Sequence, residues 1–104
     1  VQGQLEAYNA GDVERFAQFY APDVRIEDGE GKVLLEGREA LRARYGPIFA
    51  AHPQLHCRLA SRIRIGAWVV DEERITGRGP GEQHAVAIYR VKDGLITHVR
   101  FLRP

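Results

Sequence analysis

The sequence predicts an α+β fold in which three short helices precede a long antiparallel sheet that curls around them. Apolar residues recur at three- and four-residue spacing through most of the first half of the chain, and at two-residue spacing through most of the second. The turn signals Gly77-Arg78-Gly79-Pro80-Gly81 and Lys92-Asp93-Gly94 then divide the second half into successive strands. A sheet of that length, with so few helices to cover it, curls around them and can enclose a pocket.

Val1, Leu5 and Tyr8 lie at i, i+4, i+7 and open the chain as an amphipathic helix, ended by Asn9-Ala10-Gly11. Asp12 caps a second helix, with Val13, Phe16 and Tyr20 along one face and Pro22 as its stop. Residues 24–28 alternate as a strand, followed by a Gly-rich turn and a short strand over 32–36. Gly37 precedes a third helix striped by Leu41, Tyr45, Ile48 and Phe49. Gly46-Pro47 is expected to kink or interrupt it, because proline lacks the N–H and crowds the preceding turn; His52-Pro53 ends it. Leu55, Cys57, Leu59, Ile63 and Ile65 then alternate with His56, Arg58, Arg62 and Arg64, the pattern of a half-buried strand whose arginines form a solvated stripe. Strands over Trp68–Thr76, 83–91 and Leu95–Leu102 complete the order.

A chain of 104 residues fits one domain, residues 1–104. Its 44% hydrophobic and 28% charged residues place it with globular proteins. It shows no signal-peptide pattern and no apolar run near the roughly 20 residues of a membrane span, so a cytoplasmic protein without membrane partners is expected. Cys57 has no partner for an internal disulfide, which fits a reducing compartment. A net charge of +1 excludes a dominant nucleic-acid field. All basic residues but Lys32 and Lys92 are arginine, as in GC-rich bacterial coding sequences.

Asp28 is the first candidate site residue. Alternation through Val24-Arg25-Ile26-Glu27-Asp28 places it on the same face as Val24 and Ile26, so a carboxylate closes an apolar stripe. Two readings stand: a pocket-lining acid, whose burial would raise its pKa toward a useful base, or a residue capping the Gly29-Glu30-Gly31 turn.

Four segments carry a resemblance: Tyr8-Asn9-Ala10-Gly11-Asp12, Phe19-Tyr20-Ala21-Pro22-Asp23-Val24, Gly37-Arg38-Glu39-Ala40-Leu41-Arg42 and Tyr89-Arg90-Val91-Lys92-Asp93-Gly94-Leu95-Ile96. In these the chain resembles the NTF2-like superfamily, in its SnoaL-like and steroid delta-isomerase-like branch. The resemblance implies a cone-shaped, cystatin-like fold, with the helices packed in the concavity of a strongly curved sheet. In ketosteroid isomerase an Asp removes a proton alpha to a carbonyl, while a Tyr and a protonated Asp hold the developing oxyanion. By that likeness Asp28 falls on the base position, and Tyr20 and Tyr45 fall where some members have supporting tyrosines. Gln4 occupies the position of the key Tyr and Ala87 that of the protonated Asp, so the primary donors are replaced.

The expected site is therefore Asp28 as base, with Tyr20, Tyr45, Gln4, Tyr8 and Asp71 toward the substrate. Asp71 and Glu73 share one face of their strand with Val69 and Ile75, while Trp68 and Val70 share the other with Glu72 and Arg74, so periodicity does not say which face is inside. Three functions follow: proton transfer on a small apolar carbonyl compound, a non-catalytic ligand-binding or dimerisation module, and epoxide-hydrolase-like activation of water by Asp28, Asp71 and Arg74. No glycine pattern cradles a phosphate after a strand, and no cofactor is expected. His52, His56 and Cys57 do not converge on a metal, because Pro53 separates the histidines and Cys57 takes the opposite strand face from His56. His84 should face outward with Val86 and Ile88. Relatives commonly pair through the outer sheet face, where Val86 and Ile88 would supply an apolar patch, so a homodimer is expected.

Overall fold

The computed structural model describes residues 1–104. Its elements run α1 (Gln2–Ala10), α2 (Val13–Gln18), β1 (Tyr20–Asp28), β2 (Val33–Glu36), α3 (Arg38–Ala51), β3 (His56–Ile65), β4 (Trp68–Thr76), β5 (Gln83–Lys92) and β6 (Leu95–Leu102). The six strands form one curved sheet in the order β2-β1-β6-β5-β4-β3. Every neighbouring pair is antiparallel except β1 and β6, which run parallel, a departure from the all-antiparallel expectation. The helices cover the inner face. Phe16, Leu41 and Phe49 from α2 and α3 share one core with Val24, Ile26, Tyr89, Ile96 and Val99 of the sheet. No helix is long and apolar enough to cross a membrane.

Local chemistry accounts for the boundaries. Gly11 ends α1 in the left-handed conformation, and the Asp12 carboxylate accepts from the Arg15 N–H to cap α2. Asn9 ties α1 to β3: its side-chain amide donates to the Cys57 carbonyl at 3.0 Å, and its oxygen accepts from the Cys57 N–H at 2.7 Å. At the β5–β6 hairpin Asp93 and Gly94 both take positive φ, as a tight two-residue turn between twisted strands requires.

Three expectations need correction. Helix α2 ends at Gln18, so Tyr20 begins β1 and Pro22 lies within a strand. Pairing with β6 is irregular between Tyr20 and Arg25, and a proline that cannot donate to the ladder is accommodated at such a break. Helix α3 continues through Gly46-Pro47. Ala43, whose carbonyl the proline cannot bond, and Pro47 itself are both exposed, so the missing bond falls on the solvent side of the helix. The third correction concerns β3. Leu59 pairs with Glu73 and Ser61 with Glu72, leaving Ala60 as a bulge that inverts the side-chain parity of the rest of the strand. Arg62 therefore turns inward, while Ile63 and Ile65 point out and are 63% and 69% exposed.

Candidate functional site

Two adjoining chambers lie between the helices and the sheet. The outer one, of about 500 Å³, is walled by Ile26, Asp28, Leu34, Leu35, Tyr45 and Ile48, with Arg44, Arg78 and Arg103 among its remaining residues. The inner one, of about 40 Å³, is walled by Gln4, Tyr8, Tyr20, Tyr45, Cys57, Glu73 and Tyr89, among others. Tyr45, Arg78, Phe101 and Arg103 belong to both walls, so the two spaces adjoin.

Each inner side chain has a structural reason to be there. Gln4 and Tyr8 lie one turn apart on α1, which Asn9 holds against β3. Tyr20 starts β1, and Tyr45 projects from the buried stripe of α3. Glu73 stands on β4 opposite Ala85 of β5, and Asp71 stands opposite Ala87. Those two alanines are buried and small, which leaves room for carboxylates beneath the helices. The rings of Tyr8, Phe16, Tyr45 and Phe49 pack with centroids 5.0 to 6.4 Å apart, a stiff aromatic wall over the chamber.

Glu73 is the one carboxyl in the wall of the inner chamber. Burial, reinforced by the charge of Asp71, pushes its carboxyl up to about 7; the Tyr89 hydroxyl and the Cys57 thiol beside it draw it only partly back. Tyr89 donates to its Oε2 at 3.4 Å, a long bond. Burial also raises Tyr8, Tyr20, Tyr45 and Tyr89, so all four remain neutral hydroxyl donors at ordinary pH. The same desolvation pushes the Cys57 thiol up to about 12 and makes it a poor nucleophile. One carboxyl poised near neutrality among neutral donors is the arrangement that general acid–base chemistry requires.

The other expected residues are distributed unevenly. Asp28 stands where the outer chamber meets the β1–β2 turn. Half-buried, it lines the outer chamber with Tyr45, while its Oδ1 accepts from the Glu30 and Lys32 N–H groups at 2.9 Å to cap the turn. Asp71 faces inward but walls neither chamber. Arg62 grips it with two hydrogen bonds of 2.7 and 2.9 Å and also donates to Gln2 at 2.9 Å. Arg74 lies on the opposite strand face, 3.9 Å from Glu82, so Asp28, Asp71 and Arg74 are not brought together. His84 faces outward, bonded to Glu72 at 2.8 Å. Glu73 was not singled out from sequence. The signal that finds it is the run Ala85, Ala87 and Tyr89 on the neighbouring strand, where two small residues open space on one face.

The chain belongs to the SnoaL-like domain family, whose model matches residues 1–99. Among solved structures it is similar to a cystatin-fold protein from Novosphingobium aromaticivorans, 28% identical with a TM-score of 0.90 over 98% of this chain and 93% of that one. A Catenulispora acidiphila protein with a ketosteroid isomerase-like fold, in complex with trimethylamine, is 18% identical with a TM-score of 0.81 over 96% and 81% of the two chains. A Sinorhizobium meliloti protein provisionally described as a polyketide cyclase is 21% identical with a TM-score of 0.78 over 93% and 87%. A search of curated protein sequences gives no match. Family and chambers together define a pocket protein of the SnoaL-like family with an NTF2-like fold.

Proposed function

We propose that this protein is a cofactor-independent proton-transfer enzyme, of isomerase or cyclase type, acting on a small and largely apolar carbonyl compound. The observation that carries this is Glu73, a buried carboxyl titrating near neutrality in a chamber ringed by tyrosine hydroxyls. An inner space of about 40 Å³ admits little more than a reacting end, so the body of the substrate lies in the outer chamber. Glu73 in its ionised form takes a proton alpha to the carbonyl. The enolate oxygen accepts hydrogen bonds from neighbouring tyrosine hydroxyls, and the proton returns from Glu73 to the same or a conjugated carbon. Gln4 supplies an amide where the steroid-isomerase pattern has a phenol, and Ala87 supplies no donor, so the tyrosines carry the oxyanion.

Asp28 supports a second reading, in which it is the base, because it lines the outer chamber beside Tyr45. Exchange of alpha protons for deuterium across a ketone panel, followed by NMR, separates the two without knowledge of the natural product. Glu73→Gln should slow exchange by roughly 10²–10⁴-fold and Asp28→Asn by only a few-fold. Wild-type exchange should rise with pH through about 7, as Glu73 ionises. The reverse pattern makes Asp28 the base. Exchange unaffected by either substitution leaves a ligand-binding module.

We also propose a homodimer formed through the outer sheet face. Its support is the outward turn of Ile63 and Ile65 beyond the Ala60 bulge, beside a partly exposed Trp68.

A further inference from the structure

We propose that the outer chamber selects a substrate with a single negative charge, a carboxylate on an apolar body, and that Arg44, Arg78 and Arg103 receive it at the rim. This names the substrate class of the proton-transfer reading and rests on that reading for its chemistry.

The three arginines reach one cavity from three parts of the chain: α3, the turn after β4 and the segment after β6. Of the ten other arginines, Arg25, Arg42, Arg58, Arg62, Arg74 and Arg100 are each paired with a carboxylate, and Arg38 donates to the Tyr20 carbonyl. Arg15, Arg64 and Arg90 are unpaired but line no part of this chamber. Arg44, Arg78 and Arg103 make no ion pair and donate no side-chain hydrogen bond, so their guanidinium groups are available to a ligand. Two of them are positioned. Arg78 follows Gly77, which takes a φ of +85 where any Cβ would collide with the Gln54 carbonyl, so the turn is seated against the α3–β3 loop. The Arg103 guanidinium lies over the Phe101 ring, 5.5 Å from its centroid.

The acidic residues of the rim set the charge of the ligand. Asp28 and Glu30 share the chamber, and Asp28 already accepts the two N–H groups of its turn. Three cations facing two anions leave an excess of one positive charge, which a monoanion neutralises and a dianion exceeds. Guanidinium forks match a carboxylate geometrically, and apolar walls around such a rim concentrate its field. That field reaches the interior: Arg103, Arg44 and Arg78 oppose the rise of Tyr45, and Arg103 opposes that of Glu73. Leu34, Leu35 and Ile48 supply the apolar wall for the body, and a cavity of about 500 Å³ accommodates a small amphipath.

The test is calorimetric titration of the wild-type protein at low salt with octanoate, octanol and octyl phosphate. Octanoate should bind about 10-fold more tightly than octanol and at least as tightly as octyl phosphate. High salt should remove most of the preference for octanoate over octanol. Replacing all three arginines by Gln should equalise octanoate and octanol, while replacing them by Lys should keep part of the preference. The arginines are exposed and unpartnered, and the wild-type comparison needs no variant at all. Equal affinity for octanoate and octanol, a preference that survives the triple Gln substitution, stronger binding of octyl phosphate, or no octanoate binding at millimolar concentration would overturn the proposal. Because binding is read without turnover, this result is independent of the exchange experiment. Loss of the Glu73 effect there would leave an anion preference intact, and loss of the anion preference would leave Glu73-dependent exchange intact.

Discussion

Glu73 carries two opposed consequences at the scale of a single residue. A carboxyl held at about 7 in the folded protein, against 4.5 when free, binds its proton more tightly folded than unfolded. Stability is therefore greatest while Glu73 is protonated, falls as pH rises from about 4.5 to about 7, and stays lower above that. At 1.36 kcal/mol per pH unit the loss amounts to about 3 kcal/mol at pH 8. Glu73→Gln should raise the unfolding free energy by up to that amount at pH 8 and by little at pH 4, measured by urea unfolding at both values. A gain that does not differ between the two pH values would mean that the carboxyl is not held in its acid form by burial. The same substitution that is expected to slow exchange should thus stabilise the fold, the combination expected where a site is kept at the expense of packing. Sequence reached Asp28 but not Glu73 for a physical reason. Strand β1 alternates cleanly, so its inward face could be read, and Val24, Ile26 and Asp28 do face the helices. Strand β4 carries carboxylates and apolar residues on both faces, and only the alanines of β5 decide which face is inside.

At the scale of elements, the Ala60 bulge does most to separate the structure from the pattern. Before it, Leu55 and Cys57 are buried as the alternation requires; after it, the isoleucines and arginines exchange faces. No residue type announces the bulge. What stabilises it is on the next strand: inversion brings Arg62 to Asp71, which is 1% exposed and would otherwise be a buried carboxylate without a cation. Arg62→Met should accordingly destabilise the protein by about 3–5 kcal/mol, because the remaining charge is left unpaired. Adding Asp71→Leu should recover most of that loss, since an apolar pair replaces an ion pair at little net cost. Chemical denaturation of the single and double variants measures both. A double variant no more stable than Arg62→Met would show that the pair contributes through geometry rather than charge. The continuity of α3 past Pro47 follows similar logic, because the exposed side of the helix tolerates the missing bond while the buried stripe of Leu41, Tyr45 and Phe49 holds both halves to one core.

For the molecule as a whole, the outward turn of β3 completes an apolar strip. Ile63, Val70 and Ile88 lie side by side across β3, β4 and β5, with Ile65 and Trp68 in the adjoining row. Around the strip, several polar side chains are already paired within the chain, while Arg90, opposite Trp68, is exposed and has no carboxylate partner. His98 and Glu27 are 2.5 Å apart, Arg100 donates to Glu27 at 3.2 Å, and His84 and Glu72 are 2.8 Å apart. Covering such a face removes apolar surface from water while leaving these paired charges satisfied, which is the balance a self-complementary interface needs, with Arg90 kept at its wet edge. Light scattering at micromolar concentration should give twice the chain mass of 11.7 kDa. Ile63→Glu with Ile65→Glu should return a single chain with unchanged circular dichroism, since both side chains are exposed in the monomer and their replacement costs the fold little. The chambers draw on the inner sheet face and α3, so the monomeric variant should retain Glu73-dependent exchange. A wild-type protein of single-chain mass would remove the dimer. A monomeric variant that has lost exchange would instead mean that pairing holds the cone, and with it the site, in shape.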